Sequence, residues 1–115
     1  MNHVDLFIVA VPTANRERYL THTQSTSRLL KEHGAQTVQE CWGDDVPEGK
    51  ITSLPMAVKC KADETVAFGI VVWASKAARD EGMKNFMADP RLESIEMPYD
   101  GKRMVFGGFQ SIVQA

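Results

Sequence analysis

An α+β domain with the element order β-α-β-β-α-β is what this sequence predicts, on three observations. Two strand-like runs, Val4 to Val11 and Thr65 to Trp73, are apolar on both faces, so both faces should be buried. Each is followed by a longer stretch with helical start and stop signals, about Arg16 to His33 and Lys76 to Ala88. The chain has 115 residues, enough for one core and too short for two of normal size.

In the first strand Leu6, Ile8 and Ala10 alternate with Phe7, Val9 and Val11. Pro12 ends it, and Thr13 or Asn15 is placed to cap the first helix. That helix has a polar centre and a thin apolar stripe of Tyr19, Leu20, Leu29 and Leu30, and Gly34 is positioned to stop it in the left-handed conformation. Thr37 to Trp42 reads as the second strand, and Gly43 to Lys50 as a turn-rich loop. A short extra strand is expected near Met56 to Lys61, then a tight turn at Ala62-Asp63-Glu64. Thr65 to Trp73 sets Val66, Phe68, Ile70 and Val72 against Ala67, Val71 and Trp73. Ser75 is a good cap for the second helix, which offers Ala78, Met83, Phe86 and Met87 to a core. Asp89-Pro90 breaks it, with one more turn over Arg91 to Ile95, and Arg103 to Val113 is the last strand, loosened at Gly107-Gly108.

This order is that of the ferredoxin-like sandwich, in which the first and third main strands are central and two helices cover one sheet face. The other face is apolar too, and a second subunit is the simplest cover for it, so a homodimer is expected.

Hydrophobic residues make up 43% and charged residues 24%, the balance of an ordinary globular protein. The net charge is −2 with acids and bases interleaved, which gives no basic stripe for nucleic acid. No apolar run approaches a membrane span, and the first residues lack the basic start of a secretory leader, so a cytoplasmic protein is expected. Cys41 and Cys60 have neither CxxC spacing nor metal-ligand company and are read as reduced thiols. No P-loop, GxGxxG or HExxH motif occurs, and neither metal nor cofactor is expected.

Several blocks, in order, resemble one family. They are Val4-Asp5 with Val9-Ala10-Val11-Pro12, Glu40 through Lys50, Ser75-Lys76 with Arg79-Asp80, Asp89-Pro90-Arg91, Met97 through Met104, and Gly107-Gly108-Phe109. Together they resemble the YbaA-like family of bacterial proteins of unknown function. The resemblance covers nearly the whole chain. It implies the fold of the dimeric α/β barrels, where two sheets close around a shared interior, and carries no activity with it.

Candidate functional residues fall in four places, each with a structural alternative. Asp44 and Asp45, beside Glu40 and Trp42, have the carboxylates for a cation or a general base, but paired Asp before Val-Pro also caps turns. Asp100-Gly101 is a turn signal, and Lys102 and Arg103 after it suit a carboxylate or phosphate, or an ion pair with Asp44, Asp45 or Asp80. Asp80 suits the N-terminal end of the second helix, whereas Arg79 there needs a specific partner, with Asp89, Asp100 or a ligand as candidates. Trp42 and Trp73 either line a pocket or fill core and interface. His3, His22 and His33 show no ligand spacing, and His22 and His33 are expected at the surface.

Three readings follow. Convergence of Asp44, Arg79, Asp100 and Arg103 into one cleft would mark a small-molecule site for binding or cofactor-free chemistry. A flat, ion-paired arrangement would mark a non-enzymatic surface for another protein. Placement between subunits would make the blocks stabilisers of the dimer.

Overall fold

The computed structural model describes residues 2–115. Four strands form one antiparallel sheet in the order β2-β3-β1-β4. β1 is His3–Pro12, β2 is Thr37–Trp42, β3 is Glu64–Trp73 and β4 is Val105–Gln110. The doubly apolar strands β1 and β3 are central, as their composition requires, and pair from His3 opposite Trp73 to Pro12 opposite Glu64. The sheet is open, with β2 and β4 as its edges.

Helices α1 (Arg16–Glu32) and α3 (Lys76–Met87) lie on one face. α1 stops where expected, because Gly34 takes φ +110°. The Ser75 side chain caps α3 by accepting from the Ala78 amide. Asn15 makes no side-chain cap at the start of α1 and instead donates to the Pro98 carbonyl. Between helices and sheet, Leu29, Leu30, Val71, Trp73 and Phe86 form one buried cluster, and Val9, Val11, Tyr19 and Ala67 a second. Each fully buried valine there contributes about 1.5–3 kcal/mol. Leu20 and Met87, expected inside, point to solvent.

The short strand expected near Met56 to Lys61 is instead helix α2, Leu54–Ala57. Ser53 caps it by accepting from the Met56 amide at 3.1 Å, and Pro55 falls in the first turn, where its missing N–H costs nothing. Lys59 then turns left-handed at φ 51°, which no strand continues through. This segment drops Val58 onto Ile8, Ala10 and Val66, so the chain itself covers part of the second sheet face. β4 is shorter than expected at both ends. Asp100 caps a helical turn over Gly101–Arg103, and the ladder with β1 ends at the His3–Gln110 pair, followed by one more hydrogen bond from the Ser111 amide to the Asn2 carbonyl.

Candidate functional site

β2 points Val38, Glu40 and Trp42 at the helical layer, opposite Val71, Gly69 and Ala67 of β3. Gly69 explains how a carboxyl fits there. A Cβ at position 69 would collide with the Phe7 ring and with Glu40 Oε1, so the absent side chain is what lets Glu40 lie over the sheet. Above it, α1 supplies Tyr19, whose hydroxyl donates a long hydrogen bond of 3.5 Å to Glu40 Oε2.

Aromatic rings complete the wall. Tyr19 packs against Trp42 at 5.8 Å and edge-on to Tyr99 at 5.9 Å between centroids. His22 stands edge-on to Tyr99 at 5.4 Å. The Arg16 guanidinium lies over the Trp42 ring, 5.7 Å from its centre.

The electrostatics follow from burial. Among the described residues no cation is in ion-pair range of Glu40, and burial pushes its carboxyl up to about 7. Burial raises the Tyr19 and Tyr99 phenols, and the Glu40 charge raises them further. Burial lowers the His22 imidazole, so it is neutral at pH 7. Its Nδ1 lies 2.6 Å from the Glu96 carbonyl, so Nδ1 carries the proton and Nε2 is left as an acceptor. A carboxyl raised by burial, a phenol and a neutral imidazole thus lie around the Tyr19 and Tyr99 rings. These are residue types that general acid–base chemistry uses.

The charged blocks named from sequence do not converge. Arg79 binds Asp5 of β1, with Nε 3.0 Å from Oδ1 and 3.2 Å from Oδ2 and Nη2 2.9 Å from Oδ1, and its Nη1 holds Asp80 at 2.9 Å. Asp5 also accepts from the indole N–H of the fully buried Trp73 at 3.0 Å. Arg79 therefore pairs with neither Asp89 nor Asp100, and Trp73 is core. His3 is buried beside this pair.

Arg103 sits at the other end of the sheet. It forks onto Glu64 with two hydrogen bonds of 2.7 Å, reaches Asp100 at 3.1 Å, and donates to the Lys59 carbonyl. Its partners are none of Asp44, Asp45 or Asp80. Asp5 pairs near the start of β1 and Glu64 pairs with Pro12 at its end, so the clusters lie roughly 24 Å apart at about 3.4 Å per residue.

Asp44 lines a separate open cleft of ≈ 520 Å³ with Val46, Cys60, Lys61 and Thr65. Asp45 and Lys102 are exposed. His22 and His33 are half-buried and not at the surface, because Glu96 and Asp89 take their ring nitrogens. Of the sequence candidates, Glu40 and Trp42 share a wall. Tyr19, His22 and Tyr99 join them without having been singled out. The sequence signal for this place is one left unread above: Gly69, a glycine in the interior of β3.

Element order and open sheet define a ferredoxin-like α+β protein, here with a half-buried acid beneath an aromatic wall. Within that class, the chain belongs to the DUF1428 family of proteins of unknown function, whose profile matches residues 2–101. It is 44% identical over 115 residues to the uncharacterized protein YbaA of Escherichia coli (strain K12), across 98% of both chains. A YbaA of Shigella flexneri matches to the same extent. Among solved structures, it is similar to a dimeric ferredoxin-like protein from an uncultured marine organism. The TM-score is 0.63 at 7% identity, with 99% of this chain and 98% of that one covered. Rv0793 from Mycobacterium tuberculosis is similar at TM-score 0.55 and 11% identity, with 100% and 99% covered. Identities this low carry the fold alone. No helix among the described residues is long and apolar enough to cross a membrane.

Proposed function

We propose that two copies of this chain join through the open sheet face, in the cytoplasm, and that each carries a small-molecule site at Glu40. There the carboxyl acts as a general acid or base on a mostly apolar, planar ligand lying against Trp42 and Tyr99. The observation that carries this reading is the Glu40 carboxyl itself, half-buried over the sheet beneath Tyr19, with no cation in ion-pair range among the described residues, so that burial pushes it up to about 7. A carboxyl placed only to pack would be a poor choice, since a glutamine fills the same volume without the cost of burying a charge. Near pH 7 both protonation forms are populated, which suits proton transfer.

The dimer rests on the apolar second face, where Val4, Leu6, Phe68, Ile70 and Val72 are only half-buried. The named dimeric state of a protein with the same fold points the same way.

Two measurements test the reading. Carbon-13 NMR of the Glu40 carboxyl should show a midpoint near neutrality, and an ordinary midpoint of about 4.3 overturns the site. Native mass spectrometry of protein purified gently from its host should show a dimer with a retained mass that Glu40→Gln loses, and a monomer overturns the dimer.

A further inference from the structure

The segment Gly43 to Cys60 is an arm that covers only one end of the open sheet face. Its Val58 is fully buried on Ile8, Ala10 and Val66, with Cys60 beside it. The other end has no such cover. There Val4, Ile70 and Val72 are half-buried, and Phe109, which pairs with Val4, is 54% exposed. Past the end of β4, Ile112 and Val113 are 80% and 79% exposed. The arm has apolar side chains on its own outer surface, with Ile51 97%, Leu54 45% and Met56 44% exposed.

We propose that in the dimer each arm lies over the uncovered end of the other copy's sheet. Ile51, Leu54 and Met56 of one copy then meet Val4, Ile70, Val72 and Phe109 of the second, with Ile112 and Val113 closing the edge. The proposal rests on the dimer reading above and specifies its geometry.

Layer thickness decides between the two ways of stacking the faces. With β1 of the two copies running the same way, both arms fall at one end. Two arm layers then separate the sheets there and none fills the other end, which leaves a void that close-packed interiors do not tolerate. With β1 of the two copies antiparallel, the arms lie side by side as a single layer, each held between its own sheet and the partner sheet. The contact is then isologous and closes with two copies. The second face is thus buried throughout, although each chain carries cover for only half of it.

A mixed dimer of isotope-labelled and unlabelled protein tests this by isotope-filtered NOEs. We expect intermolecular contacts from the Met56 and Leu54 methyls to those of Val72, Ile70 and Ile112. Arm-to-arm contacts, or none in a confirmed dimer, overturn the interleaved geometry and leave the dimer standing. A monomer overturns both. Met56→Asp changes an exposed side chain of the protomer, so the protomer should fold. Light scattering should show dimerisation weakened roughly tenfold or more, the loss for one buried apolar side chain. An unchanged dimer overturns the arm's part in the interface.

Discussion

Glu40 and Gly69 face each other across the β2–β3 ladder, and the Glu40 carboxyl occupies the space that any side chain at 69 would need. The same space borders the Phe7 ring, so the rung Glu40–Gly69–Phe7 places an acid against the middle of the apolar layer. The carboxyl is there because the opposite residue has no side chain.

Gly69→Ala is therefore expected to cost about 1–3 kcal/mol of stability by overpacking, measured by urea unfolding. The backbone at 69 is ordinary strand, so the cost comes from the Phe7 and Glu40 contacts. The double variants Gly69→Ala/Phe7→Ala and Gly69→Ala/Glu40→Ala apportion it: coupling in either cycle locates the clash, and simple addition in both means that neither contact is its source.

Burial raises the folded-state midpoint of Glu40 from 4.5 to about 7. A raised acid binds its proton more tightly in the folded state, so its contribution is full below the unfolded midpoint and lost as pH rises through about 7. Across that window the native protein should lose stability relative to Glu40→Gln, which carries no such proton. Thermal melts of both proteins from pH 4 to 8 check this, and parallel curves would mean that Glu40 titrates alike folded and unfolded.

The Arg103 fork holds the Glu64 carboxyl down at about 2, and the Glu64 side chain is only 4% exposed. A depressed acid stabilises above its unfolded midpoint of 4.5 and loses that contribution as pH falls towards about 2. Arg103→Ala leaves Glu64 buried without its partner, so the melting temperature should drop clearly at pH 7 and much less near pH 2. Its partners lie in the same chain, so light scattering should show the oligomeric state unchanged. Dissociation would place this pair between subunits instead.

Among the described residues Asp5 is the one acceptor of the buried Trp73 indole N–H, and it is the principal partner of Arg79. Asp5→Ala strands both donors and should cost roughly 3 kcal/mol, read by urea unfolding. Arg79→Ala removes the ion pair, leaves the core and the indole hydrogen bond in place, and should cost less. Equal losses would show that the ion pair, not the indole hydrogen bond, is what Asp5 supplies.

Much of the fold was legible because its signals are local. The double apolar alternation of β1 and β3, the Ser75 cap and the Gly34 stop each act within a few residues of themselves, and each appears where the sequence put it. The region Met56 to Lys61 misled because its residues suit a strand, while the decisive elements, Ser53 and Pro55, lie before it. Charge was the less reliable guide. Arg79 and Arg103 drew attention as possible ligand holders, yet each is taken up by a carboxylate of its own chain, Asp5 and Glu64, far away in sequence.

By itself the sequence determined the element order, the central place of the two doubly apolar strands and the apolar second face. Those follow from side-chain period and turn chemistry, which neighbouring residues settle. Only the tertiary structure decided that Glu40 lies under Tyr19 beside Trp42 and Tyr99, and that Arg79 and Arg103 sit at opposite ends of the sheet. Those relations depend on strand register, which brings together residues as distant as Glu40 and Gly69, and a register is set by the packing of the whole sheet.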